Sequence, residues 1–113
     1  MDSAKNETAE ICIGWTTLPD RQSAERIAGG IVASGLAACA QISDAIESFY
    51  CWKGEFCNER EWRVAIKFPR RNAAAVEEWL VKAHPYEVPQ WLWCAAAGGL
   101  PAYLNWANEI GEA

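Results

Sequence analysis

Ile11, Ile13 and Trp15 alternate with Cys12, Gly14 and Thr16, the two-residue period of a strand. Thr17-Leu18-Pro19-Asp20 breaks that run. Asp20 stands where it can cap a helix whose apolar residues Ala24, Ile27, Ala28, Ile31 and Val32 recur at helical spacing, and Gly35 is a stop signal. Leu36 to Trp52 holds no proline and predicts a long second strand, bulged or broken near Ser43-Asp44, before Lys53-Gly54-Glu55 turns the chain back. In the third strand Trp62, Val64, Ile66 and Phe68 take one face and Glu61, Arg63, Ala65 and Lys67 the other. Asn72 is placed to cap a second helix with Val76, Trp79, Leu80 and Ala83 on one stripe. Gln90 to Ala95 predicts a fourth strand. Pro101 opens a last helix with Tyr103, Trp106, Ala107 and Ile110 spaced for burial.

Strand, helix, strand, strand, helix, strand, helix is the order of a ferredoxin-like α+β sandwich with one added C-terminal helix. Helices are expected on one face of a four-stranded antiparallel sheet, leaving the other bare. Trp15, Trp62, Trp79 and Trp106 are expected in the core. Phe49, Tyr50, Trp52, Trp91, Leu92 and Trp93 load both faces of the later strands, and exposed apolar patches mark partner surfaces. A closed homo-oligomer is therefore expected, with the second and third strands reaching to a neighbour.

Between the second helix and the fourth strand lies His84-Pro85-Tyr86-Glu87-Val88-Pro89. A proline holds its own φ and pushes the preceding residue out of the helical region, so the helix must end at His84. His84, Tyr86 and Glu87 then sit on a short extended elbow.

Composition narrows the class. The 113 residues make one domain, expected over 11–113 after a polar, disordered tail at 1–10 that has no secretory core. A net charge of −5 argues against nucleic acid, and Ile27 to Ala40 is too short for a membrane span. Five cysteines, an odd number without dense spacing, point to a reducing compartment, the cytoplasm by default.

Thr17-Leu18-Pro19-Asp20, Leu36 through Ile42, Ser48 through Glu55, Glu61 through Lys67, the His84–Pro89 elbow, and Tyr103 with Trp106 follow one another in an order that resembles the CutA divalent-cation tolerance proteins. The resemblance covers about residues 11 to 110. It implies a tight homotrimer of ferredoxin-like subunits with sheets facing the threefold axis, and a role in tolerance to copper and other divalent metals. It further implies an intersubunit cleft lined by Cys39, Tyr50, Trp52, Glu61, Lys67, His84 and Tyr86. Where some relatives carry thiols, near the end of strand one and late in helix two, this chain has Thr16 and Trp79.

The residue chemistry leaves alternatives. Cu(I) prefers thiolates and Cu(II) imidazole and oxygen, so Cys39 and His84 are candidate metal ligands; a free cysteine is equally a small buried hydrophobe. His84 is a candidate base oriented by Glu61 or Glu87, or a cap for its own helix. Glu61 and Lys67 share a strand face roughly 20 Å apart and cannot pair directly. Tyr50 and Trp52 share a face, as cleft wall or as interface packing. Two functional readings follow: a trimeric copper-binding protein of metal tolerance, or a trimeric small-molecule sensor resembling the PII signalling proteins in architecture. With no nucleophile motif or phosphate loop, an enzyme is not expected.

Overall fold

A computed structural model of the chain describes residues 10–110. The expected tail, Glu10 excepted, lies outside the described residues. Glu10 itself is held: its carbonyl accepts from the Arg70 N–H at 3.2 Å.

The elements run β1 (Ile11–Leu18), α1 (Arg21–Ala33), β2 (Cys39–Ile42), β3 (Ile46–Trp52), β4 (Glu55–Pro69), a 3-10 turn (Arg70–Asn72), α2 (Ala73–Ala83), β5 (Leu92–Ala95) and α3 (Pro101–Asn108). The antiparallel sheet has the order β2-β4-β1-β5, and β3 pairs with the outer half of β4. The split ferredoxin-like arrangement is thus present with an added helix, and the sheet has five strands where four were expected.

The fifth strand arises at Ser43. Along the inner half of β4, Ile42 faces Val64; along the outer half, Ile46 faces Glu61. Residues 43–45 therefore stand opposite only residues 62 and 63, one extra residue of the kind that bulges a strand pair. Ser43 anchors the offset, its backbone N–H donating to the Arg63 carbonyl at 2.9 Å. Because side chains alternate, a one-residue offset moves every later side chain to the opposite face. Beyond the bulge β3 and β4 run out as a hairpin closed by Lys53 (φ 51) and Gly54 (φ 82). Two successive positive φ values make the tight turn whose twist suits a two-residue hairpin. The arm gives the molecule its 53 × 25 × 24 Å outline.

The core lies between the sheet and two helices. Cys12, Leu18, Val64, Ile66 and Phe68 meet Ala24, Ile27 and Ile31 of α1 and Val76 and Leu80 of α2. Register makes Cys12 face Phe68 and Gly14 face Ile66, so the even-numbered residues of β1 point inward. This reverses the expected assignment: Ile13 and Trp15 stand on the other face, beside Lys67 and Ala65. The Trp91 indole lies flat over Gly14, so close that a Cβ there would fall 2.3 Å from the ring. The Trp79 ring covers Gly30 in the same way at 2.8 Å. Trp79 and Trp62 are half-buried against the core.

Asp20 caps α1 as expected, accepting from the Ser23 N–H at 2.7 Å. Asn72 does not cap α2. A 3-10 turn precedes the helix, and the Asn72 amide donates instead to the Leu36 carbonyl at 3.0 Å. The last helix also departs from expectation. Lys67, on the face opposite the core, holds its ammonium 5.5 Å from the Tyr103 ring centroid, which sets α3 across that face. Ala107 is buried there, while Trp106, expected in the core, is 54% exposed. Arg71 ties down the end of α3 through the Asn108 side chain and carbonyl and the Ile110 carbonyl. Among the described residues no helix is long and apolar enough to cross a membrane.

Candidate functional site: an acidic aromatic cleft at the elbow

Pro85 forces His84 into an extended conformation (φ −78, ψ 139) and ends α2. The chain then turns over the end of β1. The buried His84 ring is fully engaged: its Nδ1 accepts from the Tyr86 N–H at 3.1 Å, and its Nε2 lies 3.0 Å from both Thr16 Oγ1 and the Thr17 carbonyl. An accepting Nδ1 leaves the proton on Nε2, which donates to the two threonine oxygens. Burial pushes the His84 pKa below its ordinary 6.5, with the bond to Thr17 and the nearby Glu61 acting in the opposite sense. The imidazole is therefore a neutral pin between the elbow and β1. Neither nitrogen offers a free lone pair.

With the elbow pinned, Tyr86 swings out and donates its hydroxyl to Glu61 Oε2 at 2.6 Å. Glu61 is 6% exposed. Two residues along β4, Glu59 accepts from the Tyr50 hydroxyl at 2.7 Å. Both tyrosines are pushed above their ordinary pKa of 10, Tyr50 chiefly by the bond to Glu59 and Tyr86 chiefly by burial and then by the bond to Glu61. Both hydroxyls stay protonated donors. Around these pairs opens a cleft of about 540 Å³ lined by Thr17, Tyr50, Trp52, Glu59, Glu61 and the elbow residues Pro85 to Gln90. The volume suits a small molecule.

The bulge at Ser43 makes this grouping possible. Tyr50 and Trp52 reach the face of Glu59 and Glu61 only because β3 is offset by one residue relative to β2. Of the residues singled out in the sequence, Tyr50, Trp52, Glu61 and Tyr86 come together, with Glu87 at the rim and His84 beneath. Lys67 and Cys39 do not join them. They pair with each other at the far end of the sheet, on the face away from the Thr16 side chain that binds His84. Cys39 and His84 are therefore on opposite faces and cannot share an ion within one chain. Among the described residues no three His, Cys, Asp or Glu side chains form a group able to hold a metal. Sequence reasoning passed over Glu59, and it noted Thr16 and Thr17 without linking either to His84. The offset at Ser43 was the signal for Glu59; the threonines gave none.

A ferredoxin-like α+β domain with a projecting hairpin and a cleft at its base is the class that this geometry defines. The profile of the CutA1 divalent ion tolerance protein family matches residues 12–110, and the chain belongs to that family. It is 32% identical over 108 residues to the divalent-cation tolerance protein CutA of Escherichia coli (strain K12 / DH10B), covering 96% of each. To the chloroplastic protein CutA 1 of Oryza sativa subsp. japonica it is 32% identical over 109 residues, covering 96% of this chain and 61% of the rice protein. The chain thus spans about three fifths of that relative. The crystal structure of CutA1 from the psychrotrophic bacterium Shewanella sp. SIB1 superposes with a TM-score of 0.85 at 38% identity, covering 88% of this chain and 94% of that one.

Proposed function

We propose that the protein acts in metal tolerance as a closed homotrimer that holds copper, as Cu(I), at the seams between copies, and that it does so without a catalytic step. One observation carries the reading. In the register of the sheet Cys39 faces Lys67, Lys67 faces Ile13 and Ile13 faces Cys94, so a single transverse row on the face opposite the core ends in a thiol at each edge strand. Edge-to-edge contacts that close a ring of three would bring Cys94 of one copy towards Cys39 of the next. Thiolates are the ligands Cu(I) prefers. The apolar residues around the row, Ile13, Trp15, Ala65 and the 70% exposed Leu92, support a buried seam. Membership of a divalent ion tolerance family supports a role with metal ions. Five unbridged thiols favour a reducing compartment such as the cytoplasm.

Anaerobic Cu(I) titration in competition with a chromophoric chelator tests this. Cys39→Ala and Cys94→Ala should each abolish stoichiometric uptake, while His84→Gln should leave it intact because both imidazole nitrogens are already bonded. Unchanged affinity in both cysteine variants would remove the thiol row as the site.

A further inference from the structure

The cleft at the elbow has a charge pattern that the metal reading does not use. Among the described residues its lining carries three carboxylates, Glu59, Glu61 and Glu87, and no Lys, Arg or His. Glu61 is more than nine-tenths buried, and among the described residues the one hydrogen-bond partner of its side chain is a neutral tyrosine hydroxyl. A buried carboxylate without a cation is costly, and a positive group entering the cleft offsets that cost. The rim already shows the chemistry. The Lys53 ammonium lies 5.7 Å from the Trp52 ring centroid and 3.8 Å from Glu87 Oε1, so two lining residues hold the chain's own ammonium between an aromatic face and a carboxylate. That ion pair is largely exposed, weak, and easily displaced.

Spacing narrows the ligand. Glu59 and Glu61 are two residues apart on one face of β4, roughly 6.6 Å along the strand, with Glu61 deep and Glu59 exposed. A short aliphatic diamine carries its two ammonium groups a similar distance apart, and its methylenes suit the walls made by Trp52, Tyr50 and Tyr86. A single metal ion does not match the pattern, since these groups do not converge on one point. An anion would meet three carboxylates, with only the rim ammonium of Lys53 to offset them.

We propose that the cleft is a binding site for an organic ammonium, best a short aliphatic diamine, with one ammonium on Glu61, the other on Glu59, and the carbon chain against Trp52 and Tyr86. The site lies away from the Cys39–Cys94 row, so it stands or falls independently of copper.

Isothermal titration calorimetry of the full chain in its native assembly, with 1,4-diaminobutane at low salt, tests the assignment. Saturable binding of one diamine per chain is expected, with no comparable heat from 1,4-butanediol or succinate. Glu61→Gln keeps an oxygen acceptor for Tyr86 but removes the charge, and should weaken binding about tenfold or more. Glu59→Gln, at an exposed position, should weaken it less. Lys53→Asn keeps the positive-φ turn while removing the competing ammonium, and should leave affinity equal or higher. Glu78→Gln, on the exposed face of α2, should change nothing. Absence of saturable heat, equal affinity in Glu61→Gln, or an equal loss in Glu78→Gln would overturn the proposal, the last by revealing diffuse attraction to an acidic protein. It would also fall if Glu61→Gln altered sedimentation and left diamine affinity unchanged, because the carboxylate would then be holding a neighbouring copy.

Discussion

His84 shows how little a residue's chemical repertoire says about its use. Imidazole is the commonest metal ligand and the usual base near neutral pH. Here its two nitrogens are spent on a backbone N–H and a pair of threonine oxygens, and the ring works as a structural pin. Burial lowers its folded pKa, so the unfolded chain binds a proton more readily than the folded one. The stability from this pin is complete above pH 6.5, the ordinary value, and is lost progressively as pH falls from there through the lower folded value. Denaturant midpoints taken between pH 8 and pH 5 should fall in the wild type and fall less in His84→Gln. A flat profile in both would show that the imidazole contributes nothing to the pH response. The neighbouring Tyr86 hydroxyl serves a buried carboxylate. Tyr86→Phe should destabilise the fold by about 1–2 kcal/mol in urea unfolding, since it removes the donor to Glu61.

At the scale of elements, two glycines carry packing and geometry that no side chain could share. Gly14 is the flat seat of Trp91, whose ring also stacks at 6.0 Å from Phe68. Gly14→Ala forces the indole to move within a packed layer and should cost about 1–3 kcal/mol, read as a lower unfolding midpoint. Gly54 supplies the second positive φ of the hairpin turn. Gly54→Val should loosen the arm with little effect on the core, so that amide exchange quickens along β3 and outer β4 while the α1 and α2 amides keep their protection. Global loss of protection would instead show that arm and body unfold as one. The arm is also where pattern reading stopped short. Alternation located the strands, but the one-residue offset at Ser43 decided which face Tyr50 and Trp52 occupy, and that depends on pairing with Arg63 across the sheet. On β1 the alternation was visible but its sense was not, because small residues, Cys12, Gly14 and Thr16, take the inner face under bulky Trp91 and Phe68.

For the whole molecule, the exposed residues set the expectation. Phe49, Phe56, Leu92, Leu100 and Trp106 are each at least 54% exposed, more apolar side-chain surface than an isolated subunit of this size normally shows to water. Sedimentation equilibrium at micromolar concentration should give three times 12.5 kDa. Leu92→Asp, which touches no core contact, should shift that mass towards the single chain while preserving far-ultraviolet dichroism. A wild-type mass of one chain would end the trimer reading and with it the thiol seam.

Periodicity, prolines and the Asp20 cap were enough to read the element order apart from the split of the second strand at Ser43, the end of α2 at His84 and the ferredoxin-like class, because each depends on interactions within a few residues of chain. The family motifs likewise pointed to Tyr50, Trp52, Glu61 and Tyr86 as companions. Tertiary structure alone decided that Lys67 and Cys39 sit at the far end of the sheet, that α3 lies across the face opposite the core, and that the charged residues lining the cleft are all carboxylates. Those outcomes follow from strand register and from which face a helix lands on, and both are settled by contacts between residues far apart in the chain.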